Sequence, residues 1–303
     1  MNSIKKIDIH SHIFLHKKYT PPSSFSSCHT ALSPTELIEF YDRINIEKGV
    51  LLPSVSPEWM FALSTSEDAK EATELYPDRF LWFCSLDPRG AGNSPDADWS
   101  KVISFYKELG AKGVGELSAQ LPFDDPLMDN LFYHCAECDM PVTIHIAPTD
   151  TVYGYYGIMD DAGLPRLEKM LKKHEKLKIL GHSQLFWAEI SDNGQSDVRV
   201  DFPTGRIEKE GRLASLMREY PNLYCDVSAN SGANAFMRDP DYAARFVEEF
   251  SDRILYGTDY GNPYSRFPFE FDAWLEKFRE DKMISEENYY KFVRGNAERL
   301  LGL

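Results

Sequence analysis

Long apolar runs are missing from this chain of 303 residues; no stretch approaches the ~20 consecutive apolar residues that a bilayer-spanning helix requires. No membrane span is expected. Positive charge is also scarce, with 33 Lys and Arg against 48 Asp and Glu and a net charge of −15. A nucleic-acid partner needs a basic face to displace counterions from phosphates, and an anionic membrane surface repels such a chain. Neither partner is expected. The five cysteines (Cys28, Cys84, Cys135, Cys138, Cys225) are odd in number and scattered. Cys135 and Cys138 form a C-x-x-C inside a helical stretch, with no second pair to complete a thiolate zinc site, so they read as core-facing thiols. Cys84 and Cys225 fall in apolar, strand-like runs and read as buried. Lys5 and Lys6 are followed at once by Asp8, His10 and His12, which is not a secretory leader. A reduced, cytoplasmic protein is the default.

What is present is enough for a substantial core, with 43% hydrophobic and 13% aromatic residues. No linker or low-complexity tract breaks the chain, so residues 1–303 read as one domain. A beat repeats along it: helix, a Gly or Pro break, a short β-branched run, then a polar residue. Strands are expected at Ile4–Ile9, Gly49–Leu52, Phe80–Leu86, Gly113–Leu117, Val142–Ile146, Lys178–Gly181, Leu223–Val227 and Ile254–Tyr256. Helices fall between them, the first opening on Ser33 as N-cap and Pro34 at its first position. Glu270–Arg279 and Glu286–Leu301 are expected as terminal helices. Eight β-then-α units point to an α/β fold, a single (β/α)8 TIM barrel with C-terminal helices. Phe14–Leu32 and Gln184–Gly211 do not fit the beat and read as long βα loops over the active-site face.

Metal-competent residues gather at the ends of these strands. Of eight histidines, four (His10, His12, His145, His182) end strands, and so do Glu116 and Asp259. In a barrel those ends converge on one rim, so six ligand-type groups would share one cavity. Asp8, His10 and His12 alternate on one face of the first strand, as do Leu255, Gly257 and Asp259 on the last. Asp8, deeper in the barrel, reads as the partner that fixes a histidine tautomer. Gly257 reads as space left below Asp259. Nitrogen and carboxylate donors without thiolate suit Zn²⁺, Mn²⁺ or Fe²⁺. Structural zinc sites are usually closed by four ligands, whereas six at a mouth read as an open, catalytic site.

The ordered set His10-x-His12, Glu116, His145, His182 and Asp259 resembles the amidohydrolase superfamily. In that superfamily H-x-H follows strand one, Lys or Glu strand four, His strands five and six, and Asp strand eight. The strings Cys225-Asp226-Val227-Ser228, Tyr256-Gly257-Thr258-Asp259 and Asn296-Ala297-Glu298-Arg299-Leu300 are similar to its amidohydrolase-related branch. That branch holds hydrolases and non-oxidative decarboxylases. The resemblance implies, as the favoured expectation, a hydrolase of small-molecule amides, lactones or esters acting through metal-activated water. His10, His12 and Asp259 would hold one cation, His145 and His182 a second, with Glu116 between them. Asp259 and His182 would be catalytic. The alternative is a one-cation decarboxylase of an aromatic or unsaturated acid, with His182 delivering a proton to carbon. Tyr153, Tyr155, Arg206, Arg266, Ser228 and Asn230 are candidates for contacting the small-molecule substrate. A homo-oligomer is left open, with Phe267, Phe269, Phe271 and Trp274 available for an interface or for packing a terminal helix.

Overall fold

A computed structural model describes residues 4–19, 32–58, 63–149, 156–192, 202–261 and 265–303. Its strands are β1 (Lys6–Ser11), β2 (Ile46–Leu51), β3 (Phe80–Trp82), β4 (Val114–Leu117), β5 (Val142–Pro148), β6 (Ile158–Asp160), β7 (Ile179–His182), β8 (Leu223–Val227) and β9 (Ile254–Tyr256). All pair in parallel, which forces crossovers between neighbours, and helices supply them. One sheet runs β1-β2-β3 and the other β4-β5-β7-β8-β9, with β6 alongside β5. Parallel bridges Cys84↔Val114 and Ser11↔Tyr260 join the two sheets at both seams. Backbone bonds Gly115 N–H to Cys84 O and Asp259 N–H to His10 O, both 2.8 Å, reinforce those seams. Eight strands thus follow one another around a ring, in the sequential order a (β/α)8 fold requires.

Local chemistry sets the helix starts. Ser33 caps the helix Pro34–Arg43, as the sequence implies, and Glu36 makes the cap reciprocal. Thr65 and Asp68 do the same for Ser66–Leu75. A large apolar layer, including Leu37, Phe40, Trp82, Ile103, Leu131 and Leu167, fills the space between strands and helices. A second cluster of Ile7, Ile9, Val50, Leu52, Phe83, Leu180 and Leu255 fills the ring and meets Ala297 and Leu301 of the last helix, which floors it. Phe269 packs 5.1 Å from Phe40 and Phe271 stacks 6.4 Å from Tyr256 of β9, so these aromatics fix the helix Phe267–Glu280 onto the barrel, with Trp274 stacked on Phe271. Cys84, Cys135 and Cys225 are buried thiols, whereas Cys138 is half-buried. Among the described residues no helix is long and apolar enough to cross a membrane.

Several elements differ from expectation. Strand β3 is shorter because Cys84 joins the next strand only through an isolated bridge. The segment from Gln184, expected to be irregular, opens as a helix (Gln184–Ala188) because the Ser183 hydroxyl caps Phe186 N–H and Leu185, Phe186 and Trp187 are buried. A further helix, Ala229–Met237, follows β8. The last helix is broken by a π-helical turn at Lys291–Gly295, beyond which Asn296 donates to the carbonyls of Ser251 and Ile254.

The largest correction concerns β1. Asp8 Oδ1 accepts the backbone N–H of His10 at 3.0 Å, an Asx turn inside a strand. The β1–β2 register slips between Asp8 and Ser11, so one residue is bulged out. Asp8 therefore points away from the ligands, toward Tyr41 O–H (3.0 Å), while Ile7 and Ile9 join the ring interior and His10 enters it after the bulge.

Candidate metal centre

Six side chains named from sequence converge at the C-terminal end of the ring. His10 and His12 leave the bulged end of β1 with their Nε2 atoms 3.0 Å apart. Asp259, beyond β9, places Oδ1 3.4 Å from His12 Nε2 and 3.8 Å from His10 Nε2. Glu116 on β4 places Oε2 3.6 and 3.8 Å from the same two nitrogens, while its Oε1 lies 2.7 Å from His145 Nδ1 on β5. His182, ending β7, has Nε2 3.8 Å from Asp259 Oδ2. Donor atoms of His10, His12 and Asp259 lie within 4.8 Å of one another, and so do those of Glu116, His145 and His182. Close strand packing makes this possible. Gly115 has φ +146°, and a Cβ there would lie 2.8 Å from Thr143 O on β5.

This donor set suits a divalent cation. His12 Nδ1 lies 2.8 Å from the carbonyl of Leu52, which can only accept, so Nδ1 carries the hydrogen and Nε2 an outward lone pair. His10 Nδ1 is likewise engaged, 2.6 Å from Asp226 Oδ2. Two imidazole Nε2 atoms facing each other at 3.0 Å, with both Nδ1 atoms already engaged, leave room between them for a shared proton or a cation. Electrostatics agree. Burial alone would lower His10, but the carboxylates of Asp226, Asp259 and Glu116 outweigh it and raise the ring to about 10. Burial and the neighbouring His10 push His182 down to about 4. Burial opposes ionisation of Asp259, yet His10, His12 and His182 hold it at about 2. Glu116 is held well below the usual carboxylate range, against burial, by His145, His10 and His12. The pocket is built to concentrate positive charge.

The other candidates divide. Ser228 is buried, with Oγ 2.9 Å from His182 Nδ1, so it holds a ring where a substrate contact was expected. Asn230 is exposed in the first turn of Ala229–Met237. Arg206 is exposed and pairs with Asp239 (3.4 Å) and Asp241. Arg266 is exposed just ahead of the helix Phe267–Glu280. Tyr153 and Tyr155 lie outside the described residues.

Asp8 does not touch a histidine ring; it also accepts from Thr258 N–H (2.9 Å) and Thr258 O–H (2.6 Å), tying β1 to the segment after β9. The carboxylate that bonds the His10 ring is Asp226. Its signal was a charged residue alternating with Cys225 and Val227 in an otherwise apolar strand. Tyr156, whose ring lies 4.3 Å from that of His145, is a second residue the sequence did not single out.

The amidohydrolase family model matches residues 7–303. The chain belongs to the amidohydrolase family. A curated relative of this amidohydrolase, a 2-pyrone-4,6-dicarboxylate hydrolase of Comamonas testosteroni, is 30% identical over 115 residues, which cover 34% of this chain and 38% of that protein. The match thus spans well under half the length of the curated relative. Among solved structures, a probable 2-pyrone-4,6-dicarboxylic acid hydrolase of Acinetobacter baumannii, with citric acid bound, superposes with TM-score 0.62 at 14% identity, over 99% of this chain and 100% of that one. A dihydroxybenzoic acid decarboxylase of Polaromonas, with bound manganese and 2-nitroresorcinol, gives TM-score 0.59 at 18% identity, over 98% and 97%. At those identities the likeness speaks for the fold of this amidohydrolase. Family enzymes bind divalent metal, and the ligand groups for one are present here.

Proposed function

We propose that this amidohydrolase is a metal-dependent hydrolase of a small-molecule ester, lactone or amide, built as one barrel domain over residues 1–303. Glu116 carries the reading. Its two oxygens reach both ligand groups, Oε1 to His145 and Oε2 toward His10 and His12, so this one carboxylate would serve both cations. His10, His12 and Asp259 would hold one divalent cation, His145 and His182 the other, with zinc, manganese or iron all compatible with the donors. Bound cations supply Lewis acidity, lowering the pKa of a water and polarising the scissile carbonyl.

The chain's own groups do the rest. Asp259 is ionised at neutral pH, and its Oδ2, on the His182 side, takes a proton from water and returns it to the leaving group. His182 stays uncharged, with Nδ1 engaged by Ser228 and Nε2 facing the reacting site. The 30%-identical hydrolase relative supports a cyclic ester as the first substrate class to try. In the second reading, decarboxylation, the activity in the manganese-bound neighbour's name, one cation on His10, His12, His145 and Asp259 would leave Glu116 without a task. The test is metal content together with turnover on a lactone, ester and aromatic-acid panel. Two equivalents falling to one in Glu116→Ala, with lactone or ester hydrolysis, support the proposal. One equivalent unaffected by Glu116→Ala, with CO₂ release, replaces it. A cytoplasmic setting belongs to the same proposal.

A further inference from the structure

Strand β8 and its end carry two polar side chains, Asp226 and Ser228, beside the ligands, and neither is among the six. Asp226 Oδ2 lies 2.6 Å from Nδ1 of His10, with both side chains fully buried. Its other oxygen, Oδ1, is buried and meets no hydrogen-bond donor among the described residues. A buried carboxylate with one satisfied oxygen is a poor structural brace, because its desolvation is not offset by the single bond it makes. The surroundings nevertheless hold it in place. Trp187 Nε1–H donates to the Asp226 carbonyl at 3.1 Å. Across from it stands Gly257, where a Cβ would lie 2.8 Å from Asp226 Oδ1, 2.9 Å from Ser228 Cβ and 3.2 Å from His10 Cβ. Gly257, expected from sequence to make room below Asp259, leaves a space that the Asp226–His10 pair occupies.

We propose that Asp226 is a positioning residue for the metal centre: it accepts from Nδ1–H of His10, which fixes that ring's tautomer and tilt and leaves Nε2 facing His12, Asp259 and Glu116. A carboxylate on Nδ1 also makes Nε2 a stronger donor. Gly257 is required for the same reason, since any side chain there displaces the carboxylate or the ring. This inference rests on the metal-centre reading above. It is distinct from that reading, because cations could bind with His10 held by packing alone.

Metal-stripped protein is titrated with Zn²⁺ or Mn²⁺ against a competing chelator, for wild type, Asp226→Asn, Asp226→Ala and Gly257→Ala, and apo melting is recorded for each. Asp226→Asn keeps an acceptor but loses the charge, and should bind metal about 10- to 100-fold more weakly with little change in apo melting. Asp226→Ala should lose at least as much. Gly257→Ala keeps the carboxylate, moves it, and should also lose affinity. A folded Asp226 variant with wild-type metal affinity overturns the inference, whatever its melting temperature. Should the variants not fold, ¹⁵N histidine spectra of the loaded wild type decide: His10 must be the Nδ1–H tautomer, and Nε2–H overturns the proposal. A wild type that binds neither ion contradicts the metal-centre reading itself.

Discussion

Replacing Asp8 with alanine should destabilise the protein without direct damage to the ligand set. The carboxylate accepts four hydrogen bonds, from His10 N–H (3.0 Å), Thr258 N–H (2.9 Å), Thr258 O–H (2.6 Å) and Tyr41 O–H (3.0 Å). Rotation of the two hydroxyls can find other partners, whereas the two backbone N–H groups are fixed. Each donor left unpaired in the interior costs roughly 1–3 kcal/mol, so Asp8→Ala should lose about 4 kcal/mol. For a chain of this size that is about 6 °C of melting temperature. Metal-stripped protein is the right sample, since bound ions would mask the loss by mass action. Asp8→Asn keeps one acceptor and should fall between alanine and wild type. The reasoning is refuted if apo Asp8→Ala melts within about 2 °C of wild type. A large fall in metal affinity at unchanged stability would restore the role first expected for Asp8, a partner to a histidine ring.

Three further outcomes are expected. Arg206→Ala should leave kcat and KM unchanged and barely move the melting temperature, because the Arg206 side chain is exposed; a rise in KM of about tenfold would return Arg206 to the substrate. Asp160 accepts the backbone N–H groups of Asp161, Arg166 and Leu167 near the start of the helix Pro165–Lys173, and burial raises its carboxyl to about 6. A raised carboxyl favours the folded state at low pH and loses that contribution as pH climbs through 6, so wild-type stability relative to Asp160→Asn should decline between pH 4 and pH 6 in urea titrations; a flat or rising difference contradicts it. Asp259→Asn should keep the fold and lower turnover by about 10²- to 10⁴-fold, and full activity would remove Asp259 from proton transfer.

The barrel order and the convergence of six metal-competent side chains were legible because both are written in short, local patterns. Strand β8 keeps its expected bounds, Leu223–Val227, and β9 keeps Ile254–Tyr256, since a β-branched or aromatic run bounded by Pro, Gly or charge has few other uses. The role of Asp8 was not legible. Counting by twos assumes an unbroken strand, and the Asx turn at Asp8 spends a side chain on the backbone and shifts every face after it. Asp226 was overlooked for a different reason: its partner His10 lies 216 positions away, and only the closing of the ring brings them together. The ion pairs of Arg206 were not legible either, because Asp239 and Asp241 arrive from a helix start more than 30 residues later.

Anomalous diffraction at the absorption edge of the loaded metal tests the central claim most directly. It should show two peaks, one among His10, His12 and Asp259 and one among His145, His182 and Glu116. A loaded crystal with no peak touching these side chains would contradict the account.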